Sequence, residues 1–423
     1  MRWWPDSGNP RSLGMQATSV ARGSHGISPA TTRNNADHDG VFTNVRLRPL
    51  FALAALSLVA GCSPATTPST RPTSPSDSVG DGSVRPSGSP AGTAAPLPAT
   101  PVPAGFIVED LSFAGARDFA LGTAHGTLML AGSDDSGRTW RLIGDVPQGA
   151  CPVQTRPCVS RIRFGSANAG YAFAPGLLTT TDGGAHWTMQ AVAPLRGSVL
   201  DLAAYGPQAA IEAFGSAPCG CTLRYTTDSA DHWHATGVSP TSGSNSSDKV
   251  LMQAGIAYAT QLGNTAGGGD GGAAVYVSLD GGMTWSTRAV PCGQNPLTGD
   301  IDATSGNIVA VLCIDRTVQP YDVSLRISGD GGHTFGPAGE PVPGGGEYSI
   351  ALAVAGRASA AIATHSGVVL TNDSGQHWRS VLACAASWLG FESATEAHAV
   401  CAGGKTIWRS SDGGPSWQSF TFS

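Results

Sequence analysis

Charge is scarce in this 423-residue chain: Asp, Glu, Lys and Arg make up 13% of it, about half the usual share. The balance of 24 Lys and Arg against 30 Asp and Glu leaves a mild net charge of −6. With no basic stripe and no interleaving of aromatic and basic residues, a nucleic-acid partner is excluded. Long apolar runs are equally lacking. The longest, LFALAALSLVA at residues 50–60, is about a dozen residues and too short to span a bilayer as a helix. Among nine cysteines there is no CxxC pair and no His–Cys ligand spacing, which argues against a thiolate metal centre. The Gly-rich stretch Gly263–Gly272 has neither a P-loop lysine nor the acidic spacing of a calcium loop, and it reads as a flexible loop. No cofactor and no metal are expected.

What is present begins with an export signal. Arg46 and Arg48 precede the apolar run, which ends in Val59-Ala60-Gly61-Cys62. This order resembles the lipobox of bacterial lipoproteins, in which a diacylated cysteine becomes the first mature residue. Residues 1–44, with Trp3 and Trp4, are unusual upstream of such a signal and are read as a mis-assigned or removed extension. Residues 45–61 are then the leader, with Val45 as the expected GTG start, and Cys62 is the lipidation site. Residues 62–105 are rich in Pro, Ser, Thr, Ala and Gly. They bury too little to offset the entropy of ordering, so a disordered tether with an r.m.s. span of roughly 35 Å is expected. The expected location is the outer face of the cytoplasmic membrane in a bacterial cell envelope, with the lipid as the contact to the membrane.

From residue 133 onward one motif occurs seven times: SDDSGRTW (133–140), TTDGGAHW (180–187), TTDSADHW (226–233), SLDGGMTW (278–285), SGDGGHTF (328–335), TNDSGQHW (371–378) and SSDGGPSW (410–417). The pattern Ser/Thr-x-Asp-x-Gly-x-x-Trp/Phe resembles the Asp-box, or BNR repeat, of sialidases, sortilin-type receptors and photosystem II assembly-factor-like propellers. Its acids are Asp135, Asp182, Asp228, Asp280, Asp330, Asp373 and Asp412, and its aromatics Trp140, Trp187, Trp233, Trp285, Phe335, Trp378 and Trp417. The chemistry of these residues is structural. The carboxylate accepts backbone N–H bonds within a turn, the glycine permits positive φ, and the aromatic packs as an apolar plate. Ala230 replaces the glycine of the third copy, and a distorted turn is expected there.

Spacings of 39 to 52 residues between copies fit a four-strand unit of the form A-B-C-box-D. A unit of about 45 residues cannot bury both faces alone, and stacking around an axis solves this. The expected fold is all-β, a seven-bladed β-propeller of four-stranded blades over residues 106–423, and a monomer. The absence of capping repeats speaks against an open solenoid. Because units begin and end in the same phase, closure is expected to rest on packing, with residues 101–107 as a possible added strand on the last blade.

Eight cysteines remain in the exported domain, an even number that points to disulfides. The phase of the repeat suggests Cys292 with Cys313, Cys384 with Cys401, Cys151 with Cys158, and Cys219 with Cys221, all on the face opposite the boxes. The longest loops share that face, where binding usually resides. The sialidase resemblance would imply an Arg-Ile-Pro motif, three clamp arginines and a Tyr/Glu nucleophile pair. Here the nearest features are Arg161-Ile162-Arg163 without proline, Arg224, Arg326 and Arg409 on C strands, and Glu347-Tyr348. Asp302, Asp315, Glu340 and Glu347 are the acids expected within reach of one face. With no assignable catalytic residue, the expected function is a binding or scaffold lipoprotein for a protein or cell-wall glycan. A sialidase-like or other glycoside hydrolase is the alternative.

Overall fold

The computed structural model describes residues 95–148, 158–190, 198–206, 209–216, 220–238, 249–260, 275–288, 291–292, 297–304, 307–315, 317–346, 351–401 and 403–422. The chain divides into a unit of residues 1–82 and one of residues 83–423, and every described residue belongs to the second. Cys62 and the leader, Cys151, Cys219, the Gly263–Gly272 loop, Glu347 and Tyr348 lie outside the described residues, as does the side chain of Cys221. Among the described residues no helix is long and apolar enough to cross a membrane.

Short apolar runs separated by Gly-bearing turns form strands in every repeat. The first sheet is β1 (Ile107–Ala114), β2 (Arg117–Ala124), β3 (Thr127–Ser133) and β4 (Arg141–Asp145). The second is β5 (Arg161–Phe164), β6 (Gly170–Phe173), β7 (Leu177–Thr180) and β8 (Thr188–Met189). The third is β9 (Ser198–Tyr205), β10 (Ala209–Ser216), β11 (Gly220–Thr226) and β12 (His234–Ala235), and the fourth is β13 (Lys249–Gln253), β14 (Ile256–Thr260), β15 (Val275–Ser278) and β16 (Ser286–Thr287). The fifth has β17 (Leu297–Ala303), β18 (Val309–Asp315) and β19 (Asp322–Ser328). The sixth is β20 (Ala351–Val354), β21 (Ala360–Thr364), β22 (Gly367–Thr371) and β23 (Arg379–Leu382), and the seventh is β24 (Ala386–Phe391), β25 (Ala397–Cys401), β26 (Thr406–Ser410) and β27 (Gln418–Thr421). Each sheet is an antiparallel meander in chain order. Burial follows position: β21 and β22 are buried along their whole length, while the last strands β8, β12 and β16 are exposed.

The fold is an all-β propeller. Six sheets are complete four-stranded blades, one fewer than the seven expected, and the fifth repeat forms a three-stranded sheet. The cause is local. Where a fourth strand would run, Pro337, Pro341 and Pro343 lack the N–H a ladder needs. The segment follows β19 through only the spaced bonds Gly336 N–H to Ile327 O, Gly339 N–H to Leu325 O and Val342 N–H to Val323 O.

The core consists of layers between successive sheets. Phe119 of the first sheet stacks on Phe164 of the second with ring centroids 3.5 Å apart, and both belong to one apolar cluster with Leu121, Leu130, Ile162 and Leu178, against which Trp187 packs. Fully burying a side chain of this size stabilises by about 2 to 3 kcal/mol. Every other pair of neighbouring sheets shares a comparable cluster that includes a box aromatic. The last sheet meets the first in this way: Phe422 packs edge-on against Phe106 at 5.0 Å, and Val108 N–H donates to Gly404 O at 2.7 Å. Residues 100 and 101 do not extend the last blade. Pro101 bridges to Arg141, and Leu142 N–H donates to Thr100 O, so this segment lies along β4 of the first sheet.

All seven motif copies build the same turn. In the first, Ser133 Oγ donates to Asp135 Oδ1 at 2.8 Å and accepts the Gly137 N–H at 2.8 Å, while Asp135 Oδ1 and Oδ2 accept the N–H and hydroxyl of Thr139. The residue before the aromatic is therefore part of the device. It is Thr139, Thr284, Thr334 or Ser416 through a hydroxyl, and His186, His232 or His377 through Nδ1. The third turn is not distorted, contrary to expectation. Ala230 N–H still reaches Thr226 Oγ1 at 3.1 Å, and the chain accepts φ of 72° at Ala230 to keep it. The motif's hydrogen bonds outweigh the left-handed cost of an L residue, roughly 1 to 2 kcal/mol.

Two of the expected disulfides are present: Cys292–Cys313 with Cα atoms 5.3 Å apart and Cys384–Cys401 with 5.7 Å. Each ties the segment before a first strand to the end of the second strand, away from the boxes. Cys158 is also disulfide-bonded.

Candidate functional site

The first strands of successive sheets, from β1 to β24, pack against one another and form the inner wall of the propeller. On this wall the sequence places charge at alternating positions between apolar residues: Asp110 on β1, Arg161 and Arg163 on β5, Asp201 on β9, Lys249 on β13, and Asp300 and Asp302 on β17. Alternation is what a strand with one face toward the neighbouring blade demands.

The carboxylates form bonds between sheets. Asp110 Oδ2 accepts the Ile162 N–H at 2.8 Å and Arg163 Nη1 at 2.9 Å. Asp201 Oδ2 accepts the Val250 N–H at 3.1 Å, and its Oδ1 pairs with Arg161 Nη1 at 3.2 Å. Asp300 Oδ2 accepts the Leu352 N–H at 2.9 Å, and Lys249 Nζ lies 2.6 Å from its Oδ1. Asp302 Oδ2 accepts the Val354 N–H at 2.7 Å. Each acid thus occupies a backbone donor of the next sheet, which no ladder partner serves there. Asp110, Asp201 and Asp300 expose only 6%, 6% and 8% of their side chains, whereas Arg161, Arg163 and Lys249 show 45%, 32% and 37%.

Burial works against charge on Arg163 and Lys249, but Asp110 and Asp201 at the first and Asp300 and Asp201 at the second outweigh it and hold both cations firmly protonated. Asp302 behaves oppositely: burial, aided by the charge of Asp300, pushes its carboxyl up to about 7 despite the N–H bonds it accepts. The wall is asymmetric, because β20 and β24 carry only Ala351, Ala353, Ala386, Ser387 and other uncharged residues. Five sheets present charge, and two present a neutral arc.

The acids expected within reach of one face are separated. Asp302 pairs with Ala310 in the β17–β18 register, five residues along β18 from Asp315, which is about 17 Å at strand rise. Asp315 is exposed and bonds Thr317. Glu340 lies elsewhere: its N–H donates to Gly375 O and its carbonyl accepts Trp378 Nε1. Glycosidic chemistry needs two carboxyl groups about 5 to 10 Å apart, and Asp302, Asp315 and Glu340 do not provide them. The three C-strand arginines do not converge. Arg224 lies over Trp233 at 5.8 Å, Arg326 donates to Gly336 O, and Arg409 pairs with Glu396 at 2.6 Å. Arg161 and Arg163 instead belong to the inner wall. Sequence reasoning missed that wall, although the charges of the first strand of each repeat, as in RIRF and DIDA, were a signal for it.

These features define a β-propeller with a charged inner ring. No protein-family model matches the chain, and no curated protein matches it by sequence. Among solved structures it is similar to an ancestral GH74 enzyme, at 15% identity over 78% of this chain and 48% of that one, with a TM-score of 0.53. It is also similar to YCF48 bound to D1 peptide, at 16% identity over 74% and 95% with a TM-score of 0.47, and to YCF48 from Cyanidioschyzon merolae, at 15% over 74% and 97% with 0.48. At these identities the likeness speaks to the fold alone.

Proposed function

We propose that this protein is a lipid-anchored binding module of a bacterial cell envelope, held at Cys62 and standing off the membrane on its Pro/Ser/Thr-rich tether. In this reading its seven repeats act as seven blades, the fifth closed by an irregular outer edge, and the Asp-box motifs serve as structural turns. The ligand is an acidic polypeptide segment that enters the inner ring from the disulfide-bearing face. The observation that carries this reading is the division of labour on the wall: acids buried and occupied by backbone N–H groups, cation side chains left partly exposed. An acidic segment competes only for the ion pairs that Arg161, Arg163 and Lys249 make with Asp201, Asp110 and Asp300, and it leaves the backbone N–H bonds between sheets in place.

Binding rather than hydrolysis is supported by the same bonds, since Asp300 and Asp302 are already engaged by Leu352 and Val354. The test is fluorescence anisotropy of the full chain with a library of acidic and neutral peptides across a salt series. Affinity should favour acidic peptides, weaken with salt, and fall by about tenfold or more in an Arg161→Gln/Lys249→Gln variant that retains its melting temperature, as loss of charge-assisted contacts implies. Equal affinity for neutral peptides, or an unaffected variant, refutes the reading. Turnover of a fluorogenic glycoside that disappears in Asp302→Asn establishes the hydrolase instead.

A further inference from the structure

Away from the inner wall, the junction of first and last sheets holds a polar cluster that no part of the binding role uses. Asp118 is the second residue of β2, His398 lies in β25, and Glu392 sits in the turn between β24 and β25. One ligand atom from each lies within 4.8 Å of the others. His398 is fully buried and Asp118 is 2% exposed. Both ring nitrogens of His398, Oδ2 of Asp118 and Oε1 of Glu392 lack an aligned hydrogen-bond partner. His398 Nδ1 stands 2.8 Å from Glu392 Oε1, close but out of hydrogen-bond alignment.

Charge counting points the same way. Arg409 lies 2.6 Å from Glu396, with its Nε left unpartnered beside His398, so one cation stands against three carboxylates, Asp118, Glu392 and Glu396, around a buried imidazole. Uncompensated burial of this kind is costly. A proton on His398 offsets one charge and aligns with neither Asp118 nor Glu392. A divalent cation offsets both and turns the lone pairs that face one another into ligands.

We propose that Asp118, Glu392 and His398 form a divalent transition-metal site, with zinc as the favoured ion, that locks the first blade to the last. One imidazole and two carboxylates are a donor set suited to zinc, and calcium or magnesium would call for oxygen ligands alone. Asp118 belongs to the first sheet and the other two ligands to the seventh, so the ion spans the one junction where the ends of the chain must be held. Phe113 packs against the His398 ring at 5.0 Å with the planes tilted by 34°, and Trp388 packs edge-on against Phe113.

The test uses the full chain, stripped with chelator and titrated with zinc, read by calorimetry, metal analysis and melting temperature. A single zinc ion per chain and a raised melting temperature are expected. Glu392→Gln, at a partly exposed position, should weaken binding by more than about tenfold, and His398→Gln should abolish it. His186→Gln, at an exposed histidine in the turn of the second sheet, should leave zinc binding unchanged. X-ray absorption on the unmutated protein gives a reading that needs no variant: one imidazole with oxygen ligands supports the site. Absence of bound zinc, zinc retained by folded Glu392→Gln, zinc lost in His186→Gln, or an all-oxygen shell overturns it.

Discussion

Replacing Asp201 separates two roles that its position combines. Its Oδ2 accepts the N–H of Val250, a residue 3% exposed, and its Oδ1 pairs with Arg161, whose side chain is 45% exposed. Asp201→Ala removes both. The stranded N–H costs about 1 to 3 kcal/mol, and the lost ion pair, screened at a wet surface, about 0 to 1 kcal/mol. A total near 3 kcal/mol follows. Asp201→Asn keeps an oxygen for Val250 and should cost about 1 kcal/mol, the charge-assisted part of the bond. Arg161→Gln leaves the N–H bond intact and should cost less than about 1 kcal/mol. Urea unfolding monitored by tryptophan fluorescence gives all three values if the slopes with denaturant agree. The expected order is Ala far above Asn and Gln. If Arg161→Gln destabilises as much as Asp201→Ala, the carboxylate acts as an ion-pair partner, and its reading as a bond between sheets is wrong.

Ala230→Gly should stabilise by about 1 kcal/mol by relieving the left-handed alanine, while Gly184→Ala, whose Cβ would overlap Leu130 Cδ2, should lower the melting temperature; a reversed pair of signs would refute the turn argument. Asp302, raised to about 7 by burial, keeps a proton in the native state that the unfolded chain loses near its ordinary 3.8. Stability from this group therefore falls as pH rises from about 4 to 7, and Asp302→Asn should flatten that slope in melting curves taken across the window. Asp373 is the opposite case: hydrogen bonds from the His377 side chain and N–H hold it down to about 2. Its contribution is present above the ordinary carboxylate range and lost as pH falls toward 2, so Asp373→Asn should reduce acid sensitivity between pH 4 and 2.

The repeat was legible because its chemistry is local. Ser133, Asp135, Gly137 and Trp140 lie within eight residues, and each turn is closed by bonds no longer than four positions, apart from the aromatic, which packs on the neighbouring sheet. The strands around it followed from the repeated four-strand unit, and the pairing of Cys292 with Cys313 from their common phase in the repeat. Thr139 and its equivalents went unread as part of the turn because three side-chain types, Thr, Ser and His, perform one task there. The pattern is visible in what they donate and invisible in residue identity.

The inner ring was not legible for a different reason. Whether Asp110 meets the N–H of Ile162 depends on the relative height of two strands 52 residues apart, and that height is set by bulges such as the shift between Val108 and Asp110 in the β1–β2 register. A one-residue slip turns every side chain to the other face, so the same letters in the same order place Asp110 on the channel, in the blade interior or nowhere useful. Charge on first strands therefore becomes interpretable only when read across repeats. Asp110, Asp201 and Asp300 fall on the first, third and fifth sheets, and Arg163 and Lys249 on the second and fourth between them. Each acid requires the next blade's backbone at one height, and each cation requires an acid beside it, so the alternation ties the placement of six blades to a single register. The neutral β20 enters this scheme only through the N–H groups of Leu352 and Val354, and β24 lies outside it, so from the sixth sheet through the seventh to the first the ring is held by apolar packing.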